Sequence, residues 1–101
     1  PTGVDDAAVS EVSLGNFPNP FRPTTSVKYS IPNTADVELS IYDVSGRLVR
    51  ALVSNPSHAA GRYSVPWDGR DNAGRPVAAG VYFARLTVDN DSSASKMVKL
   101  K

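Results

Sequence analysis

Ser26-Val27-Lys28-Tyr29-Ser30-Ile31 and, shortly after it, Val37-Glu38-Leu39-Ser40-Ile41-Tyr42 decide the fold. In the first, Val27, Tyr29 and Ile31 share one face and Lys28 and Ser30 the other. In the second, Val37, Leu39 and Ile41 oppose Glu38, Ser40 and Tyr42. A period of two is that of a half-buried β-strand. Working outward, Arg62-Tyr63-Ser64-Val65-Pro66-Trp67 alternates as well, with Tyr63, Val65 and Trp67 inward. Pro66 cannot donate to a ladder, so that strand is an edge or its proline faces away from a partner. Val81 to Val88 is apolar on both faces, as in a central strand. Val81 and Phe83 are assigned inward there, with Tyr82, Ala84 and Leu86 competing for the register. In Lys96 to Leu100, Val98 and Leu100 fall inward and Met97 on the other side. Leu48 to Val53 reads as strand rather than helical turn. The expected core is Val27, Tyr29, Ile31, Val37, Leu39, Ile41, Trp67, Val81, Phe83 and Val98.

Turn signals separate these runs at short intervals: Pro32-Asn33, Ser45-Gly46, Asn55-Pro56, Ala60-Gly61, Asp68-Gly69, Asn72-Ala73-Gly74 and Asp89-Asn90-Asp91. Short strands with such punctuation indicate a β-sandwich or small barrel. No segment carries a helical period over ten or more residues, and no internal repeat is evident. The fold class is all-β, with two packed antiparallel sheets of about seven strands.

Composition bounds the function. The 101 residues suffice for one domain with its own core. Eleven basic and ten acidic residues give a net charge of +1, which leaves no electrostatic footprint for nucleic acid or an anionic membrane. The absence of cysteine excludes disulfides, thiolate catalysis and Cys-ligated zinc. The single histidine, His58, excludes a multi-histidine metal site. No apolar run is long enough to span a bilayer as a helix. Residues 1–14 hold Asp5, Asp6 and Glu11 without a base, and read as an acidic linker entering a domain. Val9, Val12 and Leu14 within it are candidates for an edge strand. Residues 15–101 form the domain. The last eleven residues set Lys96, Lys99 and Lys101 against Asp91. Lysines at a strand edge block edge-to-edge association.

Catalytic constellations are weak. Ser57 precedes His58, but the surrounding Ser54 to Gly61 reads as an exposed loop, and no Gly-x-Ser-x-Gly elbow exists. The acids sit at turns or in the leader, not as a facing pair for glycoside hydrolysis. The glycines are isolated turn residues, not a phosphate cradle. The loop Trp67 to Pro76 offers Asp68, Asp71 and Asn72, oxygen ligands of the kind calcium takes. Its spacing is not that of an EF-hand, and the favoured reading is that Asp68 and Asn72 form Asx-turns with Gly69 and Gly74 at positive φ. Tyr63 and Trp67 read as core rather than as a carbohydrate platform. No enzyme activity, cofactor or metal is expected.

A further set of motifs, in order, is Asn16-Phe17-Pro18-Asn19-Pro20-Phe21-Arg22-Pro23-Thr24-Thr25, Tyr29-Ser30-Ile31-Pro32, Ile41-Tyr42-Asp43-Val44-Ser45-Gly46-Arg47-Leu48-Val49, Trp67-Asp68-Gly69-Arg70, Ala79-Gly80-Val81-Tyr82-Phe83-Ala84-Arg85-Leu86 and Lys96-Met97-Val98-Lys99-Leu100-Lys101. Together they resemble the type A C-terminal sorting domain of the type IX secretion system of Bacteroidota and relatives. The same signature overlaps the Ig-like domain of the flagellar hook-capping protein, and the terminal basic-apolar motif separates the two. The resemblance covers residues 15–101 and implies an Ig-like sandwich. Physically, Pro18, Pro20 and Pro23 stiffen an extended entry, and Phe17 and Phe21 plug one end. Asp43 to Gly46 is a hairpin turn with Gly46 left-handed, and Ala79-Gly80 lets the next strand start close to a neighbour.

The resemblance implies a non-catalytic address label on an upstream cargo, often a hydrolase or adhesin. Its partners would be the secretion machinery, an outer-membrane translocon and a sortase. The cargo would pass through the periplasm to the cell surface or the medium. Lys96, Met97, Val98, Lys99, Leu100 and Lys101 are the residues carried over as the recognised signal. No nucleic acid and no membrane insertion are implied, and a monomer is expected. The alternative is a passive Ig-like accessory domain, a spacer or a carbohydrate-binding or adhesion module of a secreted enzyme.

Overall fold

The computed structural model describes residues 9–101. Asp5 and Asp6 of the acidic leader lie outside the described residues. The chain forms the expected all-β sandwich: β1 (Ser13–Phe17), β2 (Thr25–Ile31), β3 (Ala35–Asp43), β4 (Leu48–His58), β5 (Gly61–Trp67), β6 (Gly80–Val88) and β7 (Asp91–Lys99). One sheet has the order β1-β2-β5 and the other β4-β3-β6-β7, with neighbours antiparallel. β1 begins at Ser13, so Leu14 pairs with Tyr29 inside the sheet, within the span read as leader.

The alternation in β2 and β3 builds the core. Val27, Ile31, Val37, Leu39 and Ile41 are completely buried, and Tyr29 nearly so. β5 pairs only with β2, with Pro66 opposite Ser26, so its proline rests on an edge strand. Tyr63 and Val65 are half-buried on its inner face, and Trp67 is fully enclosed.

Two registers differ from the sequence reading. In β6, Tyr82, Ala84 and Leu86 are buried, whereas Val81 and Phe83 are half-buried on the outer face. Directly opposed residues share a face, and β3 places Leu39 against Leu86 and Ile41 against Ala84. The inward set of β3 therefore selects the even positions of β6. β6 passes the choice to β7: Tyr82 opposes Met97, so Met97 is fully buried and Val98 turns outward.

β4 is the second correction. It runs through Asn55-Pro56, expected as a turn, to His58. Three register shifts against β3 interrupt it, one between Ala35 and Val37, where β4 passes from His58 to Asn55. A bulge admits a proline on an edge strand and destroys the period-two pattern. His58 opposes the inward-facing Ala35 and is itself buried, not an exposed loop histidine.

Candidate functional site

The terminal segment Lys96–Lys101 is anchored from both sides. On one side β7 pairs with β6. On the other, Phe21 N donates to Val98 O at 2.9 Å and Leu100 N donates to Phe21 O at 2.9 Å. The Asn19 side chain extends this pairing: its Nδ2 donates to Lys96 O at 3.0 Å and its Oδ1 accepts from Val98 N at 3.0 Å. The outer backbone edge of this half of β7 is thus already occupied by residues 19–21. Phe21 is buried and plugs the end of the core as expected, but Phe17 is 70% exposed and does not. Residues 18–20 bend, and the Phe17–Pro18, Asn19–Pro20 and Arg22–Pro23 bonds are cis, where an extended entry was expected.

Of the six signal residues, Lys96, Leu100 and Lys101 are exposed, Val98 and Lys99 are half-buried, and Met97 is enclosed. The inward assignment of Val98 and Leu100 is overturned in favour of Met97. Lys96 lies on the outer face opposite Phe83, and Val98 opposite Val81. Lys99 folds over Gly69, where an added Cβ would stand 3.0 Å from Lys99 Cε and 2.8 Å from Pro23 O. Gly69 has φ 74°, so closeness and backbone conformation both call for glycine.

At the same end of the sandwich two turns have the same construction. In Asp43-Val44-Ser45-Gly46-Arg47, Asp43 Oδ1 accepts from Ser45 N at 2.9 Å, Ser45 Oγ at 2.6 Å and Arg47 N at 3.0 Å. In Asp71-Asn72-Ala73-Gly74-Arg75, Asp71 Oδ1 accepts from Ala73 N at 2.9 Å and Arg75 N at 3.0 Å. Each glycine is left-handed and donates to its aspartate carbonyl, and each arginine Nε lies 3.4 Å from the aspartate Oδ2. This five-residue repeat, Asp-x-x-Gly-Arg, is legible in the sequence but falls below the length at which repeats are ordinarily sought. The Asx-turn roles are Asp68 and Asp71, since Asn72 Oδ1 instead accepts from Ala51 N at 3.0 Å and ties the loop to β4.

Hydrogen bonds from Ser45 Oγ and from Arg47 N hold the Asp43 carboxyl below the ordinary 3.8, and the Arg75 N bond lowers Asp71 in the same direction. A lowered folded-state value stabilises the fold above the unfolded value, and this is lost as pH falls through the folded one. The melting temperature should therefore decline as pH drops below about 3.8. In Asp43→Asn/Asp71→Asn the neutral-pH value should be lower and that decline shallower. Parallel acid profiles for parent and variant would contradict this origin.

The remaining candidates are structural. His58 Nδ1 lies 3.0 Å from Ala59 O, and its Nε2 lies 2.8 Å from the Tyr29 hydroxyl. A carbonyl only accepts, so Nδ1 carries a hydrogen and donates to Ala59 O, while Nε2 and the Tyr29 hydroxyl share the second bond. Tyr63 stacks on Tyr29 at 5.3 Å, and Trp67 is enclosed, so neither forms a platform. Among the described residues no group of three or more Asp, Glu or His is placed to hold a metal ion. Asp68 Oδ1 accepts from Arg70 N and Arg50 Nη1, both at 3.1 Å. Asp68→Ala should cost about 1 kcal/mol in denaturant unfolding. Calcium should leave the melting temperature unchanged; a rise abolished by Asp71→Ala would restore the metal reading.

Residues 22–92 match the family model of the FlgD Ig-like domain. No curated protein matches the chain. Among solved structures it is similar to dimeric latent PorU from Porphyromonas gingivalis, with 28% identity and a TM-score of 0.70 over 88% of this chain and 9% of that one. It is similar in fold to PorZ, an essential surface component of the type-IX secretion system of the same organism. There the identity is 20% and the TM-score 0.60, over 88% of this chain and 12% of PorZ. FlgD from Xanthomonas campestris, concerned with hook capping in flagellar assembly, is 28% identical with a TM-score of 0.57, over 89% of this chain and 67% of FlgD. This chain therefore spans only a small fraction of PorU and PorZ. A family model matched from β2 into β7, on a two-sheet antiparallel sandwich, makes the chain a member of the FlgD Ig-like domain family.

Proposed function

We propose that this domain is a non-catalytic sorting module that directs an attached cargo through a type IX secretion system to the cell surface or outside. The observation that carries the reading is the match of nearly all of this chain to one small part of the much longer PorU. A module of this kind acts on behalf of the polypeptide joined to it. The fold likeness to the type-IX component PorZ and the ordered motifs ending in Lys96–Lys101 support the particular system. The recognised feature would be the basic, exposed part of the terminus, Lys96 and Lys101, with Leu100 beside them. The partners would be the translocon and sortase of that system.

One observation favours the alternative, a passive Ig-like accessory domain: the family match ends at residue 92, before the terminal motif. The test is a folded reporter fused ahead of residues 9–101 and expressed in a bacterium with a type IX system. The fusion should reach the medium or the surface, and Lys96→Ser/Lys101→Ser should hold it in the periplasm with an unchanged melt. Export of that variant at the parent's level removes the basic end as the signal. Retention of the parent fusion, correctly folded, leaves the accessory-domain reading.

A further inference from the structure

The two Asp-x-x-Gly-Arg turns flank a cleft of roughly 480 Å³ with Leu48, Pro76, Val77, Ala78 and Tyr82 among its walls. The turns themselves are made by aspartate and glycine: the carboxylate gathers the loop N–H groups and the left-handed glycine closes the bend. The arginine in the fifth position is not required for that geometry. Its side chain is 82% exposed at Arg47 and 78% at Arg75, against 19% and 26% for the aspartates beneath. Ion pairs this exposed contribute little to stability. Each pair nonetheless orients its guanidinium, because the Nε side faces Oδ2 and leaves the other N–H donors to solvent.

We propose that this cleft binds an acidic peptide segment of a partner protein, with carboxylates on Arg47 and Arg75 and an apolar side chain between them on the Leu48–Val77 wall. The charge that the cleft presents to solvent favours an anion: Arg47 and Arg75 line it against Asp43 and Asp71, but the arginine side chains are far more exposed than the aspartates. The aspartate oxygens are already engaged by loop N–H groups and by arginines. The walls favour a peptide over a polyphosphate or an acidic glycan. A polyphosphate would leave the apolar surface bare, and the one aromatic hydroxyl, Tyr82, already donates to Ala78 O at 2.6 Å. This site is separate from Lys96–Lys101, and it stands or falls independently of the sorting reading.

The probe is acetyl-Glu-Leu-Glu-Val-Glu-amide, with its glutamine counterpart, pyrophosphate and polygalacturonate as comparisons, titrated into the whole chain and followed by NMR. The acidic peptide should shift the Arg47 and Arg75 Nε–H signals and the amides of Leu48, Val77 and Ala78. Its affinity should fall about tenfold between low and moderate salt and at least about tenfold in Arg47→Gln/Arg75→Gln, with the melt unchanged. Equal binding of the glutamine peptide, binding that survives the double substitution, or no shift at millimolar peptide overturns the proposal. So does binding of pyrophosphate or polygalacturonate in preference to the peptide. A large fall in the melting temperature of the double variant would show the arginines to be turn elements, which also overturns it.

Discussion

Trp67→Ala should lower the free energy of unfolding by about 3–5 kcal/mol, a large part of the roughly 5–15 kcal/mol available to a domain of this kind. Trp67 is completely enclosed, with Phe21 at 5.6 Å and Tyr82 at 5.7 Å between ring centroids. Its Nε1 donates to Arg70 O at 2.9 Å, so truncation opens a cavity and removes one of the two donors to that carbonyl, leaving Arg50 Nη1 at 3.2 Å. The effect should spread, because Phe21 packs on this ring and carries both backbone bonds to the terminal strand. Urea unfolding should show a lower midpoint with an unchanged slope. Phe17→Ala is the control: this aromatic belongs to the same entry motif but is 70% exposed, and should change stability by no more than about 0.5 kcal/mol. Equal costs for the two would mean that the core does not centre on Trp67.

The legible parts of the fold are those where one face of a strand is polar. β2 and β3 alternate cleanly, so their inward residues could be named from the sequence alone. β6 carries Val81 and Phe83 on one face and Tyr82, Ala84 and Leu86 on the other, and no local pattern separates two apolar faces. The choice is made by pairing with β3, which is a long-range fact. β4 was obscured differently: its bulges put Pro56 inside a strand and carried His58 into the core, in a stretch whose composition is that of a loop. The terminal segment inherited the β6 ambiguity, so its inward and outward members were exchanged. The covering of its outer edge by Asn19 and Phe21 joins residues nearly eighty apart and leaves no local signal.

That exchange has a large measurable consequence. Met97→Ala should cost about 2–5 kcal/mol, as expected for a fully enclosed methionine opposite Tyr82. Val98→Ala removes a half-buried side chain from the outer face and should cost about 1 kcal/mol, well under the ~1.5–3 kcal/mol of a fully buried valine. Leu100→Ala, at a position already 37% exposed, should be comparable to Val98→Ala. Should Val98→Ala prove the costlier, β7 pairs one residue out of this register and the outward face belongs to Met97. The order also decides how the terminus can be studied. Deleting Lys96–Lys101 removes Met97 from the core and takes away the partners of Asn19 and Phe21, so loss of export by that truncation would report unfolding. Lys99 is unsuitable for the complementary reason, because its stem lies against Gly69. Lys96 and Lys101 are exposed, and their replacement by serine separates the recognition of charge from the integrity of the sandwich.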